Sequence, residues 1–186
     1  MSQIFNSKIS KTSKLTREDY LQISESFFTA YEKIEDVVED NRNDRGRFVA
    51  CLLRLAGHDF LDFRLDDDNI GGSDGCISFD DEDNKGLPSC LKQFGVADIM
   101  EQHENKVSLA DFVVIAAESL ICRASTNFNK DDPYEEGSFC RKLLDGFKYG
   151  RKTVEECEWN VGRMPNPEHG CHGRVQEDGS LLDGLQ

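Results

Sequence analysis

Ser108-Leu109-Ala110-Asp111-Phe112-Val113-Val114-Ile115-Ala116-Ala117-Glu118-Ser119-Leu120-Ile121 is the stretch on which the fold class turns. Ser108 with Asp111 three places on is a helix start, because both side chains can take up backbone N–H groups that a first turn leaves unpaired. The run behind them is apolar almost all round, and a helix without a polar face must be enclosed by other helices. It reads as the central buried helix of an all-α domain.

Outward from it the apolar spacing stays helical. Thr16 with Asp19 caps a first helix near 17–39, whose Tyr20, Ile23, Phe27, Tyr31, Ile34 and Val38 form one core-facing stripe. A second helix is expected near 44–57 and a short third from about Leu87 to Phe94. Beyond Cys122 the pattern weakens: 123–136 is polar loop, Ser138–Leu144 is one helical piece, and from Gly150 onward turn residues dominate. There is no internal repeat and no low-complexity segment.

The chain of 186 residues fits one domain large enough to bury a core. Its 22 basic and 36 acidic residues give a net charge of -14, which disfavours nucleic acid or an anionic membrane as partner, since no basic run offsets the acid. No window approaches a membrane span, and the first residues lack the apolar stretch of a secretory leader, so an intracellular setting is slightly favoured. The seven cysteines contain no Cys-x-x-Cys pair, which argues against a zinc ribbon or a thioredoxin-like site. Cys157 and Cys171 flank Gly162-Arg163-Met164-Pro165 and are placed either to bridge that turn or to stay as free thiols.

Two features call for chemistry. In Phe48-Val49-Ala50-Cys51-Leu52-Leu53-Arg54-Leu55-Ala56-Gly57-His58-Asp59, Arg54 and His58 fall four apart, on one face of an otherwise apolar helix. A guanidinium and an imidazole in an apolar wall must be paired or face a polar cavity, where a small molecule can be handled. The second feature is the acidic loop Asp66-Asp67-Asp68-Asn69-Ile70-Gly71-Gly72-Ser73-Asp74-Gly75-Cys76. It is not an EF-hand, because Ile70 takes the fifth place and Ile77 the closing glutamate's. A different calcium cage remains, with carboxylates from Asp59 and Asp74 and a carbonyl from Gly72; its bland counterpart is a solvated acidic loop.

Four blocks then arrive in a distinctive order: Arg54-Leu55-Ala56-Gly57-His58-Asp59, Gly71-Gly72-Ser73-Asp74-Gly75-Cys76-Ile77, Asn84-Lys85-Gly86-Leu87 and Val107-Ser108-Leu109-Ala110-Asp111-Phe112. The order resembles the haem peroxidase superfamily of plants, fungi and bacteria over roughly residues 20–167. Phe147-Lys148-Tyr149-Gly150-Arg151 and Gly162-Arg163-Met164-Pro165 are similar to two later, less specific landmarks of that family.

The resemblance implies a haem-peroxidase-like helical fold of which this chain carries the distal part. It implies a flexible N-terminus over 1–15, the distal domain over 16–167 and a divergent tail over 168–186. Haem b and calcium are the implied cofactors, with hydrogen peroxide and a small reducing donor, oxidised by one-electron steps, as substrates. Arg54 and His58 match the distal pair on the haem face, Asn84 matches the residue that accepts the histidine's hydrogen bond, and Arg163 is a further haem contact. In those roles neutral His58 takes a proton from peroxide and returns it, while Arg54 stabilises charge on the leaving oxygen.

Asp59, Gly72 and Asp74 match the distal calcium ligands. Cys76 stands where the family has a serine hydroxyl, and a thiol is a poor calcium ligand. Gly57 replaces a bulky aromatic. The family's proximal histidine motif is missing. His103 reads as a solvated loop residue, His169 and His172 lie among turns, and Trp159 reads as packing. A distal half leaves an apolar face open to pairing with another chain. The alternative expectation is a catalytically silent relative, binding calcium or regulating a partner without haem.

Overall fold

The computed structural model describes residues 15–35, 43–61, 63 and 71–154. Among these the regular elements are helices, and α5 (Leu109–Ala124) runs through their middle as its composition predicts. The Ser108 hydroxyl accepts from the Asp111 N–H at 3.1 Å, so the start of the helix is set by its own sequence. Phe112, Ile115, Ala116 and Leu120 are buried against α1 (Arg17–Glu32) and α2 (Asp44–Phe60), and α6 (Phe139–Gly146) packs beside them.

Helix α1 opens on the expected capping box: the Thr16 hydroxyl accepts from the Asp19 N–H, and the Asp19 carboxylate accepts from the Thr16 N–H at 3.0 Å. It ends at Glu32, shorter than its stripe suggests. Lys33 closes it as the C-cap, its N–H donating to the Thr29 carbonyl at 3.2 Å and its charge facing the negative end of the helix. Ile34 still packs on the core, and Val38 lies outside the described residues. At the centre Phe27 of α1 meets Phe112 of α5 at 5.5 Å and Phe48 of α2 at 6.4 Å between ring centroids. Truncating one such buried ring costs about 3–5 kcal/mol.

Helix α2 runs on past Gly57 to Phe60, so Arg54, His58 and Asp59 are all helical. Helix α3 (Leu87–Gln93) follows, then α4 (Val96–Glu101), an element the sequence reading missed. Gly95 separates them with a left-handed φ of 61°. Disulfides tie the layers: Cys51–Cys90 joins α2 to α3, and Cys122–Cys140 joins α5 to α6. A smaller cluster of Phe28, Cys122 and Cys140 lies under Phe128 and Tyr134. No helix among the described residues is long and apolar enough to cross a membrane.

One face of α2 stays open. Leu53 is 39% exposed, and Phe60, Leu61 and Phe63 are 59%, 40% and 43% exposed, while Phe48, Leu52, Leu55 and Asp59 on the other side of the helix are buried. That open face carries the candidate chemistry.

Candidate functional site

His58 and Arg54 stand on the exposed side of α2, the ring half-buried and the guanidinium in solvent. The buried side of the helix is taken up by Phe48, Leu52 and Leu55, and on the other side both polar groups have partners, the guanidinium with backbone carbonyls and the imidazole with Asn84. Asn84, fully buried, comes to His58 from the short 3-10 turn Glu82–Asn84, which Asp81 caps by accepting from the Asp83 N–H at 3.0 Å.

The Asn84 amide is oriented by a backbone carbonyl. Its Nδ2 donates to Ser78 O at 2.7 Å, so Oδ1 faces His58 Nδ1 at 2.8 Å. An amide oxygen can only accept, so Nδ1 carries the proton and in the neutral ring Nε2 holds the lone pair. Nε2 has no hydrogen-bond partner among the described residues. The result is an oriented base whose reactive nitrogen points away from its orienter.

Arg54 is held by the same turn. Nη1 donates to Lys85 O at 2.8 Å and Nη2 to Asp83 O at 2.7 Å, one residue to either side of Asn84. Two of the five N–H groups of the guanidinium are thereby committed, and three remain for an oxygen beside His58. The three expected residues are therefore one unit, with α2 supplying two side chains and one turn holding both.

The loop expected to bind calcium is fastened to the end of α2. Buried Asp59 accepts from the Gly75 N–H at 3.1 Å through Oδ2, and Asp74 Oδ1 accepts from the Cys76 N–H at 2.9 Å. The Gly72 carbonyl accepts from the Asp74 N–H at 2.7 Å. Cys76 is disulfide-bonded, which removes its thiol from any ligand set. Among the described residues no group of three or more His, Cys, Asp or Glu side chains is placed to hold a metal ion.

Other expected residues divide simply. His103 is corrected from a solvated residue: it is half-buried in the turn before α5, its Nε2 lies 3.1 Å from the Ser26 hydroxyl, and burial, with Lys106 nearby, lowers its pKa. Arg163, His169, His172, Trp159, the Cys157–Cys171 bridge and Asp66–Asp68 lie outside the described residues. The residues missed were Ser78, whose role is a carbonyl without sequence signature, and Thr153, whose hydroxyl accepts from the Leu109 N–H at 2.8 Å at the start of α5.

Comparison with protein-family models, with curated proteins and with solved structures returns no match. What the fold and site define is an all-α domain presenting a tautomer-fixed imidazole beside a braced guanidinium.

Proposed function

We propose that this domain is the distal part of a haem peroxidase, in which His58 and Arg54 act on hydrogen peroxide and Asn84 positions the histidine. The observation that carries the reading is the His58 Nδ1 to Asn84 Oδ1 contact at 2.8 Å, which leaves Nε2 as the base. His58 Nε2 takes a proton from one peroxide oxygen and returns it to the other. Arg54, always charged, balances the negative charge that gathers on the departing oxygen.

One side of a haem fits these residues. A Cβ added at Gly57 would meet nothing within 4 Å, and Ala50 and Leu61 are exposed on the same face, so a flat apolar group has room against α2 with Arg54 and His58 on it. When bound, haem supplies the two oxidising equivalents taken from peroxide and passed singly to a small reducing donor. The described residues offer no second imidazole for it, His103 being engaged with Ser26. Exposed Phe60, Leu61 and Phe63 are ground on which the remainder of such a fold, or a second chain, would pack. Asp59, Asp74 and the Gly72 carbonyl are the hard oxygens we assign to a calcium ion, steadying the end of the helix that carries His58.

The test is reconstitution with haem. A Soret band with peroxide-dependent oxidation of a phenolic donor is expected, and His58→Ala should lower that turnover by about 10²–10⁴. A His58→Ala protein as active as the parent overturns the assignment.

A further inference from the structure

Cys51, Arg54 and His58 stand on successive turns of α2, within about 60° of one another around its axis. One continuous piece of chain meets all three. Asn84 Oδ1 faces His58 Nδ1 at 2.8 Å, the Asp83 and Lys85 carbonyls accept from Arg54 at 2.7 and 2.8 Å, and Cys90 is bonded to Cys51. That strap has little slack. Lys85 closes the 3-10 turn, Gly86 begins α3, and the Cys90 N–H donates back to the Gly86 carbonyl at 3.1 Å, so Cys90 is coupled to the carbonyls that hold Arg54. The Gly86 backbone itself lies against the guanidinium, a Cβ there falling 3.7 Å from Arg54 Nη1.

Leu87 and Leu91, fully buried, press α3 onto the core, but apolar burial is non-directional and does not fix the strap lengthwise along α2. The two Arg54 hydrogen bonds do fix it, yet both are exposed and water competes for them. The covalent link is the lengthwise constraint that water cannot replace. It is also the disulfide a reductant can reach. Among the described disulfide-bonded cysteines, Cys51, Cys76, Cys122 and Cys140 are 5% exposed or less, whereas Cys90 is partly exposed.

We propose that Cys51–Cys90 is a reducible clamp on the site: the two cysteines are positioning residues for His58 and Arg54, and a dithiol that opens their bond releases the strap and with it the orientation of the ring. A thiolate of the dithiol attacks Cys90 Sγ, and Cys51 Sγ leaves as a thiolate and takes up a proton. The second thiol then closes the reductant into its own disulfide and frees Cys90. Two electrons and two protons pass from the dithiol to the cysteine pair. The clamp rests on the peroxidase reading for its effect on turnover, whereas its effect on the ring is read without haem.

Mild dithiothreitol under native conditions, followed by alkylation and mass mapping, should open Cys51–Cys90 before Cys122–Cys140. The long-range ¹H–¹⁵N spectrum of neutral His58 should pass from one Nδ1-protonated form to a mixture of tautomers on that reduction, and back on reoxidation. Cys51→Ala/Cys90→Ala should show the same mixture, while Cys122→Ala/Cys140→Ala, which loses a disulfide away from the site, should lower Tm and keep the parent's tautomer. A single Nδ1-protonated form in both the reduced parent and Cys51→Ala/Cys90→Ala overturns the clamp, as does an equal change in both disulfide variants. Should Cys51→Ala/Cys90→Ala not fold, the natively reduced parent decides alone. With haem, Cys51→Ala/Cys90→Ala should lose about tenfold in kcat/KM for hydrogen peroxide and the control variant less than about twofold. Turnover with an unmoved tautomer upholds the peroxidase reading and overturns the clamp; a tautomer that follows the disulfide without turnover in any form upholds the clamp and overturns the peroxidase reading.

Discussion

Asn84→Ala removes a side chain that is fully buried and makes two hydrogen bonds, one to His58 Nδ1 at 2.8 Å and one to Ser78 O at 2.7 Å. Each is worth about 0.5–1.5 kcal/mol net, and the stranded Ser78 carbonyl adds about 1 kcal/mol more, so the expected loss is about 2–4 kcal/mol. For a chain of this size that lowers Tm by about 10 °C. His58→Ala removes one of the two bonds from a half-buried ring and should cost about 1 kcal/mol. The double variant should then show a coupling of about 1 kcal/mol between the two positions. The same bond fixes the ring: long-range ¹H–¹⁵N spectra of neutral His58 should show Nδ1 protonated in the parent and a mixture of tautomers in Asn84→Ala. A parent spectrum dominated by the Nε2-protonated form, or a double-mutant cycle with no coupling, refutes the orientation on which the site depends.

Breaking Cys51–Cys90, with 39 residues of separation, should cost about 4 kcal/mol and Cys122–Cys140, with 18, about 3 kcal/mol, read from urea melts of the corresponding Cys→Ala pairs. Glu118, whose carboxylate accepts from the Tyr20 hydroxyl at 2.9 Å, has its pKa raised by burial, against the lowering effects of Tyr20 and of Arg151. A raised folded-state pKa stabilises below the unfolded value and loses that contribution as pH rises through the folded one. Glu118→Gln should therefore be more stable than the parent at neutral pH, with the gap closing on acidification; a gap constant with pH removes Glu118 as its cause. Adding calcium to chelator-treated protein should raise Tm, and an unchanged Tm takes the ion out of the account.

Helix starts were legible because Thr16, Ser108 and Ser138 cap through their own hydroxyls within three residues, a purely local signal. The end of α2 was less so: Gly57 suggests a stop, yet its open surroundings and helical backbone let the chain continue to Phe60. Helix α4 escaped because six residues after a left-handed glycine hold too little periodicity, even with Val96, Ile99 and Met100 on one side. The disulfides were not legible at all. Cys51 meets Cys90 and Cys122 meets Cys140 because helices pack, and no spacing rule encodes that. In the site, the order of sequence blocks brought Asn84 to His58 across 26 residues, whereas the Ser78 carbonyl that turns the amide leaves no trace in residue identity.

The separate blocks meet for a physical reason that reaches His58. Gly75 has a φ of 72°, and a Cβ there would come within 2.8 Å of the Ala110 N atom, so the loop lies directly on the start of α5. From that contact Asp59 holds Gly75 to the end of α2, while the Asp74 carbonyl accepts from the Val154 N–H at 3.0 Å. The segment around Val154 grips the same helix start: Thr153 takes the Leu109 N–H, the Ser108 hydroxyl donates to Arg151 O at 2.8 Å, and buried Asp111 accepts from the Gly150 N–H and from Arg151 Nη1 at 2.9 and 3.0 Å. His58 is thus fixed twice, through its ring by Asn84 and through its neighbour Asp59 by a loop anchored on the central helix. Replacing either anchor alone leaves the other in place. For that reason a change confined to the loop should disturb stability more than it disturbs the tautomer, and a change at Asn84 should disturb both.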